Sequence, residues 1–349
     1  MKAYLELLQN ILDNGVEKES GRENMPNTFG ISSGNIKMDM KDGFPLLTTK
    51  KMFLKGIITE LLWILKGDTN IKYLVDNGVN IWSSDAYRWY LKWWDESGVE
   101  QGGLRKMSIE EFILQIKQSS NPSYPWIAGE REYVIGDLGK VYGYQWRNQN
   151  GVDQVKDVLD GLKNNPYSRY HIIDGWNKQD FKFMALPPCH LLYQFIVRPL
   201  SHEKRSDWAS WHFDNLKNWS DVEMDEEYVP KFYLDLNMYQ RSCDACCGIP
   251  FNLASMSLLL MIFAKASNMI PSISNWIGGD THIYLPHIET AKEQIKRIPL
   301  SLPNIRIKKD LKSLEDILNL SISDFELTDY HSYDKIVYKL FTGLKKVKD

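Results

Sequence analysis

"LASMSLLLMIFAKA", Leu253–Ala266, is the stretch whose reading decides the fold. It is apolar on nearly all sides, so it reads as a central buried helix rather than a surface helix with one apolar stripe. Ser255, Ser257 and Lys265 interrupt it, and the run is too short to span a bilayer. Two strand-like runs precede it, Leu191–Val197 and Phe232–Met238. A buried helix beside paired strands implies an α+β domain around a single core.

Working outward, the N-terminus "MKAYLELLQNILDNG" places Tyr4, Leu8, Ile11 and Leu12 at helical spacing, with Gly15 as a stop. It lacks the character of a signal peptide. Lys55–Lys66, "KGIITELLWILK", predicts a second helix carrying Glu60, for which the plain reading is a solvated side chain. Residues 83–134 are rich in Trp, Tyr, Gly, Ser and charge and read as a small helical insertion. Residues 199–230, polar with several Trp, read as an excursion between two paired strands. The expectation is one domain over 1–349 with these two insertions and a basic tail over 337–349.

Composition is that of an ordinary globular chain, and the net charge of -3 argues against a dedicated DNA or RNA binder. Without a leader, a cytoplasmic setting is expected, in which Cys189, Cys243, Cys246 and Cys247 stay reduced. The last three lack the second spaced pair that a structural zinc site requires, so no metal is expected.

Three constellations bear chemistry. "MALPPCHLLYQFIV", Met184–Val197, sets Cys189 beside His190 just before a strand. Strand neighbours point to opposite faces, so His190 is poorly placed to take the Cys189 proton. A cysteine hydrolase would need another base, such as His282. In "YQRSCDACCGIPFN", Arg241 and Ser242 suit an anion, and Gly248, Pro250 and Asn252 read as a tight turn, with Asn252 a candidate helix cap. In "IGGDTHIY", His282 and Tyr284 share one face of an extended segment, below Asp280. A thiol, an anion site and neutral hydrogen-bonding groups fit a nucleotide-sized polar substrate.

Taken together, "ALPPCH", "YQRSCD", "GIPFN", "GGDTHIY", "DLGKVYGYQWR", "FPLLTTKK" and "ELLW" followed by "GDTN" resemble the thymidylate synthase family, in order along most of the chain. The resemblance implies a central mixed sheet with a long buried helix. It also implies transfer of a one-carbon unit from 5,10-methylenetetrahydrofolate to C5 of a pyrimidine deoxynucleotide. By that resemblance Cys189 is the nucleophile that adds to C6, because C5 of uracil is a poor nucleophile until a thiolate makes the ring an enolate. The same resemblance implies the remaining roles: Glu60 and Tyr142 are expected to assist proton transfers, and His190 to belong to the pyrimidine hydrogen-bond network. Arg22, Arg241 and Ser242 bind phosphate, with Arg169 lent by a partner subunit, which implies a homodimer. Asn252 holds the pyrimidine and favours dUMP; relatives acting on cytosine carry Asp there. His282 and Tyr284 contact the ribose. Trp82 and Asp244 contact the folate.

Four features depart from the family pattern. The N-terminal loop reads "GRENMPNTFG"; Tyr170 stands where a second lent arginine is usual; Ser83 follows Trp82 in place of Asp; and "YDKIVYKLFTGLKKVKD" runs on past the usual end. Loop and tail close the site in the family, and closure decides whether water reaches the exocyclic methylene formed at C5. Both are altered here, so the expected product is 5-hydroxymethyl-dUMP. The alternative is dTMP with dihydrofolate, and a remoter one is a silent nucleotide- or RNA-binding regulator.

Overall fold

The computed structural model describes residues 1–97, 106–119, 125–128, 131–213 and 219–344. The N-terminal half runs α1 (Lys2–Asn14), β1 (Val16–Lys18), β2 (Thr28–Ile31), β3 (Gly34–Asp39), α2 (Leu54–Leu65), α3 (Lys72–Asp76), α4 (Ser83–Ser97), α5 (Ile109–Gln118), β4 (Pro125–Ala128), β5 (Arg131–Val134), α6 (Tyr142–Asn148) and α7 (Gln154–Asn164). Then follow β6 (Ile172–Asp174), β7 (His190–Pro199), α8 (His202–His212), α9 (Asp221–Glu226), β8 (Phe232–Asp244), α10 (Gly248–Ala266), β9 (Ile270–Tyr284), α11 (Ile288–Ile295), β10 (Asn304–Ile307), α12 (Leu314–Leu318) and β11 (Phe325–Thr328).

The main sheet is mixed, in the order β1-β2-β9-β8-β7-β6, with β3 also paired to β9. β7 and β8 are antiparallel, whereas β8 and β9 are parallel and joined through α10. A parallel pair needs such a crossover, and the helix that fills it must lie on the sheet. Leu253, Leu258, Leu259, Leu260, Ile262 and Phe263 are all fully buried, and Phe263 stacks on Phe195 of β7 at 4.7 Å. Ser257 satisfies its hydroxyl within the core, donating to Leu253 O at 2.8 Å and lying 2.9 Å from Ser274 Oγ of β9.

This central helix starts five residues earlier than its apolar run, at Gly248. Gly248, Pro250 and Asn252 are therefore its first turns, not a separate tight turn, and Asn252 is not its cap. Pro250 is tolerated there because the first turn leaves its N–H groups without intrahelical partners. The Asp244 carboxylate instead accepts the N–H groups of Cys246 and Cys247, at 2.9 and 3.0 Å.

The other sheet face is open. Across it Asn35 bonds Asn275 and Asn275 bonds Asn237, each at 3.0 Å, Arg198 pairs with Asp235, and Ile196 and Tyr239 are more than a third exposed. Residues 83–134 hold the helices α4 and α5, but also the two-stranded β4–β5 hairpin that a purely helical reading omits. The β7–β8 connection carries α8 and α9, whose Ala209 and Met224 form a small separate core with Val229 just beyond α9. Arg205 ties the two helices together through Asp221 and Asp225.

Candidate active site

Cys189 sits at the entry of β7, where the β7–β8 register slips between His190 and Leu192. Such a bulge re-aims side chains at a strand end. Two hydrogen bonds fix the backbone of Cys189. Cys189 N donates to Tyr142 Oη at 2.7 Å, and Arg241 N donates to Cys189 O at 2.8 Å. The Arg241 guanidinium donates to Pro188 O and Pro187 O at 2.7 and 2.9 Å and lies over the Trp176 ring. The two prolines of "ALPPCH" thus present carbonyls that aim Arg241 at the thiol, and among the described residues its Nη1 is left for an anion.

Burial pushes the Cys189 thiol above its usual value; Arg241 and then Arg22 pull it back down, and Asp85 opposes them. Arg22 lies on the exposed loop between β1 and β2, close enough to act on Cys189, Asp85 and Tyr284. That placement brings the atypical loop to the site.

Glu60 is not a solvated side chain. It accepts from Trp82 Nε1 at 2.8 Å, and Trp82 packs between Trp63 and Tyr142, at 6.1 and 5.7 Å. Burial raises the Glu60 carboxyl to about 7, against the indole hydrogen bond that lowers it. A carboxyl poised there can give or take a proton at neutral pH. Tyr142 stacks on the His190 ring at 4.5 Å, and burial holds His190 down at about 4, so its imidazole is neutral. His190 Nδ1 is 2.7 Å from Tyr193 Oη.

Asn252 lies one turn into α10, and its Nδ2 donates to Gln240 Oε1 at 2.9 Å. Gln240 is buried and also accepts from Trp276 Nε1 at 3.0 Å, while its own Nε2 donates to Ser242 O at 3.0 Å. The chain of contacts fixes which way the Asn252 amide points. Ser242 pairs in register with Asp280 of β9. His282 and Tyr284 do share one face, with rings 5.3 Å apart, and His282 Nδ1 lies 3.2 Å from Asp280 Oδ1. Lys18 also holds Asp280, at 2.7 Å, and these contacts draw its carboxyl down to about 2.

Arg169 and Tyr170 stand apart, exposed on the turn before β6. The described tail, up to residue 344, packs on Tyr284 and His287 and reaches the N-terminal loop. Tyr338 Oη donates to Gln294 Oε1 at 2.8 Å, and its ring lies under Lys50 Nζ at 4.8 Å. Phe341 packs on Tyr284 and His287, and Asn24 of the N-terminal loop reaches Gly343 O at 3.4 Å. The last five residues of the basic tail lie outside the described residues.

Sequence reading missed Gln240, Lys50, Asp85 and His287. Gln240 stood inside a quoted motif, "YQRSCD", and was passed over beside its charged neighbour. Asp85 is buried two residues after Ser83, paired with Arg88, so a carboxylate returns to this wall at a shifted position.

A cysteine beside an arginine, a neutral-range carboxyl and an amide-bearing helix start, mounted on this mixed sheet, fit a one-carbon transferase, and the family match shows that class. The chain belongs to the thymidylate synthase family, whose model matches residues 2–342. It is 40% identical to the thymidylate synthase of Mycoplasma mobile over 97% of this chain and 99% of that one. It is equally similar to that of Malacoplasma penetrans, with the same coverage, and 38% identical to that of Mesoplasma florum over 96% and 98% of the two chains.

Proposed function

We propose that this chain converts dUMP and 5,10-methylenetetrahydrofolate to dTMP and dihydrofolate. Cys189 adds to C6 of dUMP, so that C5 becomes the nucleophile that takes the methylene. Arg241, Ser242 and Arg22 receive the phosphate, with Arg169 lent by the second subunit of a homodimer whose contact is the open sheet face. Asn252, aimed by Gln240, reads the pyrimidine; His282 and Tyr284 receive the ribose hydroxyl. Glu60 and Tyr142 handle the protons at O4 and C5. Trp82 and Asp244 face the folate. The chain works in the cytoplasm, where its four free cysteines stay reduced.

The observation that carries the product is the strap formed by Phe341 on Tyr284 and by Gly343 against Asn24. The expectation of a hydroxymethylase rested on a loop and tail too altered to close. Their contact at Asn24 and Gly343 supports a site that closes, in which water is kept from the exocyclic methylene and the folate delivers hydride instead. Relatives aligned over nearly the whole chain also carry the name thymidylate synthase. The test follows the folate: turnover of dUMP should release dihydrofolate, and Cys189→Ser should abolish it. Release of tetrahydrofolate instead would return the hydroxymethyl product.

A further inference from the structure

Beneath the tail, the fold gathers three metal-binding side chains that the sequence scatters. A carboxylate oxygen of Asp244, Sγ of Cys247 and a ring nitrogen of His287 lie within 4.8 Å of one another. Asp244 ends β8 and Cys247 immediately precedes α10, so the β8–α10 turn supplies both; His287 comes from the turn after β9.

The histidine points to a ligand. It is only 3% exposed, and its Nδ1 is buried with no hydrogen-bond partner among the described residues. Its Nε2 lies 3.0 Å from Lys339 O, and a carbonyl only accepts, so the proton is on Nε2 and Nδ1 carries a lone pair. A ring that donates one N–H to a backbone carbonyl and leaves its other nitrogen buried without a hydrogen-bond partner among the described residues has the arrangement of a metal-ligating histidine. The neighbouring cation, Lys50, is held by Cys246 O at 2.7 Å and by the Tyr338 ring.

We propose that Asp244, Cys247 and His287 bind a thiophilic divalent cation of the zinc class, with a fourth position open. Donors around a tetrahedral zinc, at about 2.0–2.3 Å from the metal, stand about 3.3–3.8 Å apart. The three side chains need only close by about 1 Å. Cys247 binds as thiolate, and its proton passes to solvent. The metal then fastens the start of α10 to His287, which the tail already holds through Lys339 O. Because Asp244 is also read as the folate contact, bound metal competes with methylenetetrahydrofolate; that part rests on the proposed function, the binding itself does not.

The test uses the full chain, reduced and stripped by chelator, titrated with Co²⁺ and then Zn²⁺. One equivalent should bind, with a thiolate-to-cobalt absorption that Zn²⁺ removes. Cys247→Ser should lose the absorption, His287→Gln should weaken binding about tenfold or more, and Cys189→Ser should keep both. No uptake, absorption that survives Cys247→Ser, or absorption that disappears with Cys189→Ser would overturn the site. Zn²⁺ should also raise the KM for the folate in the parent chain but not in Cys247→Ser. Binding without that rise would support the site and count against Asp244 as the folate contact.

Discussion

Glu60 illustrates how a single environment sets both chemistry and stability. Its carboxyl, raised to about 7 by burial, holds its proton more tightly in the folded chain than in the unfolded one. Between its ordinary value of 4.5 and about 7 the folded state binds the extra proton, so stability falls as pH rises through that window. The cost of ionising it when folded is about 3 kcal/mol. Glu60→Gln should therefore leave stability little changed at pH 4 and raise it by up to about 3 kcal/mol at pH 8, measured by urea unfolding. The same variant should lose about 10²–10⁴-fold in kcat, and the inflection near pH 7 in its rate profile should vanish. An inflection that survives would assign it to another group.

Asn252 makes a second residue-scale case. Its amide is oriented by Gln240, itself fixed by Trp276. Asn252→Asp should shift preference from dUMP towards dCMP in kcat/KM. An unchanged preference would move pyrimidine reading elsewhere. The motifs made Cys189, Asn252 and Arg241 legible, because each stood in a short local pattern. Gln240, Asp85 and His287 were not, since their meaning comes from partners across the sheet, from the thiol wall and from the tail. Chain spacing carries no signal for such meetings.

At the scale of elements, α10 and the β7–β8 pair were readable from apolar runs, and α1 and α2 from helical spacing. The start of α10 was misplaced because Gly and Pro usually mark turns, yet a first helical turn accepts both. The β4–β5 hairpin was missed inside a segment too polar and mixed for strand periodicity to appear. The tail is the element with the most direct consequence. Its anchors are Tyr338 on Gln294, Lys339 on His287 and Gly343 on Asn24. Truncation before Tyr338 should cut dTMP formation by about tenfold or more and let hydroxymethyl-dUMP appear. Undiminished dTMP formation would show that another element excludes water.

For the whole molecule, the open sheet face and the isolated Arg169 make one argument. In the proposed homodimer, the bare sheet face cross-linked by Asn35, Asn275 and Asn237 is the surface each subunit offers the other. Light scattering should give a dimer. Arg169→Ala and Cys189→Ser should each be inactive alone or nearly so, yet mixing them should restore about one quarter of the sites, because one hybrid site regains both residues. Failure to complement, with dimers formed, would place Arg169 outside the neighbouring site.

The measurement that bears most directly on the account is turnover of dUMP with methylenetetrahydrofolate in ¹⁸O-labelled water, with the nucleotide product weighed by mass spectrometry. Cysteine-assisted transfer within a closed site should give dTMP carrying a methyl group and no label. A hydroxymethyl nucleotide bearing ¹⁸O would contradict it, because water would then have reached C5's methylene ahead of hydride.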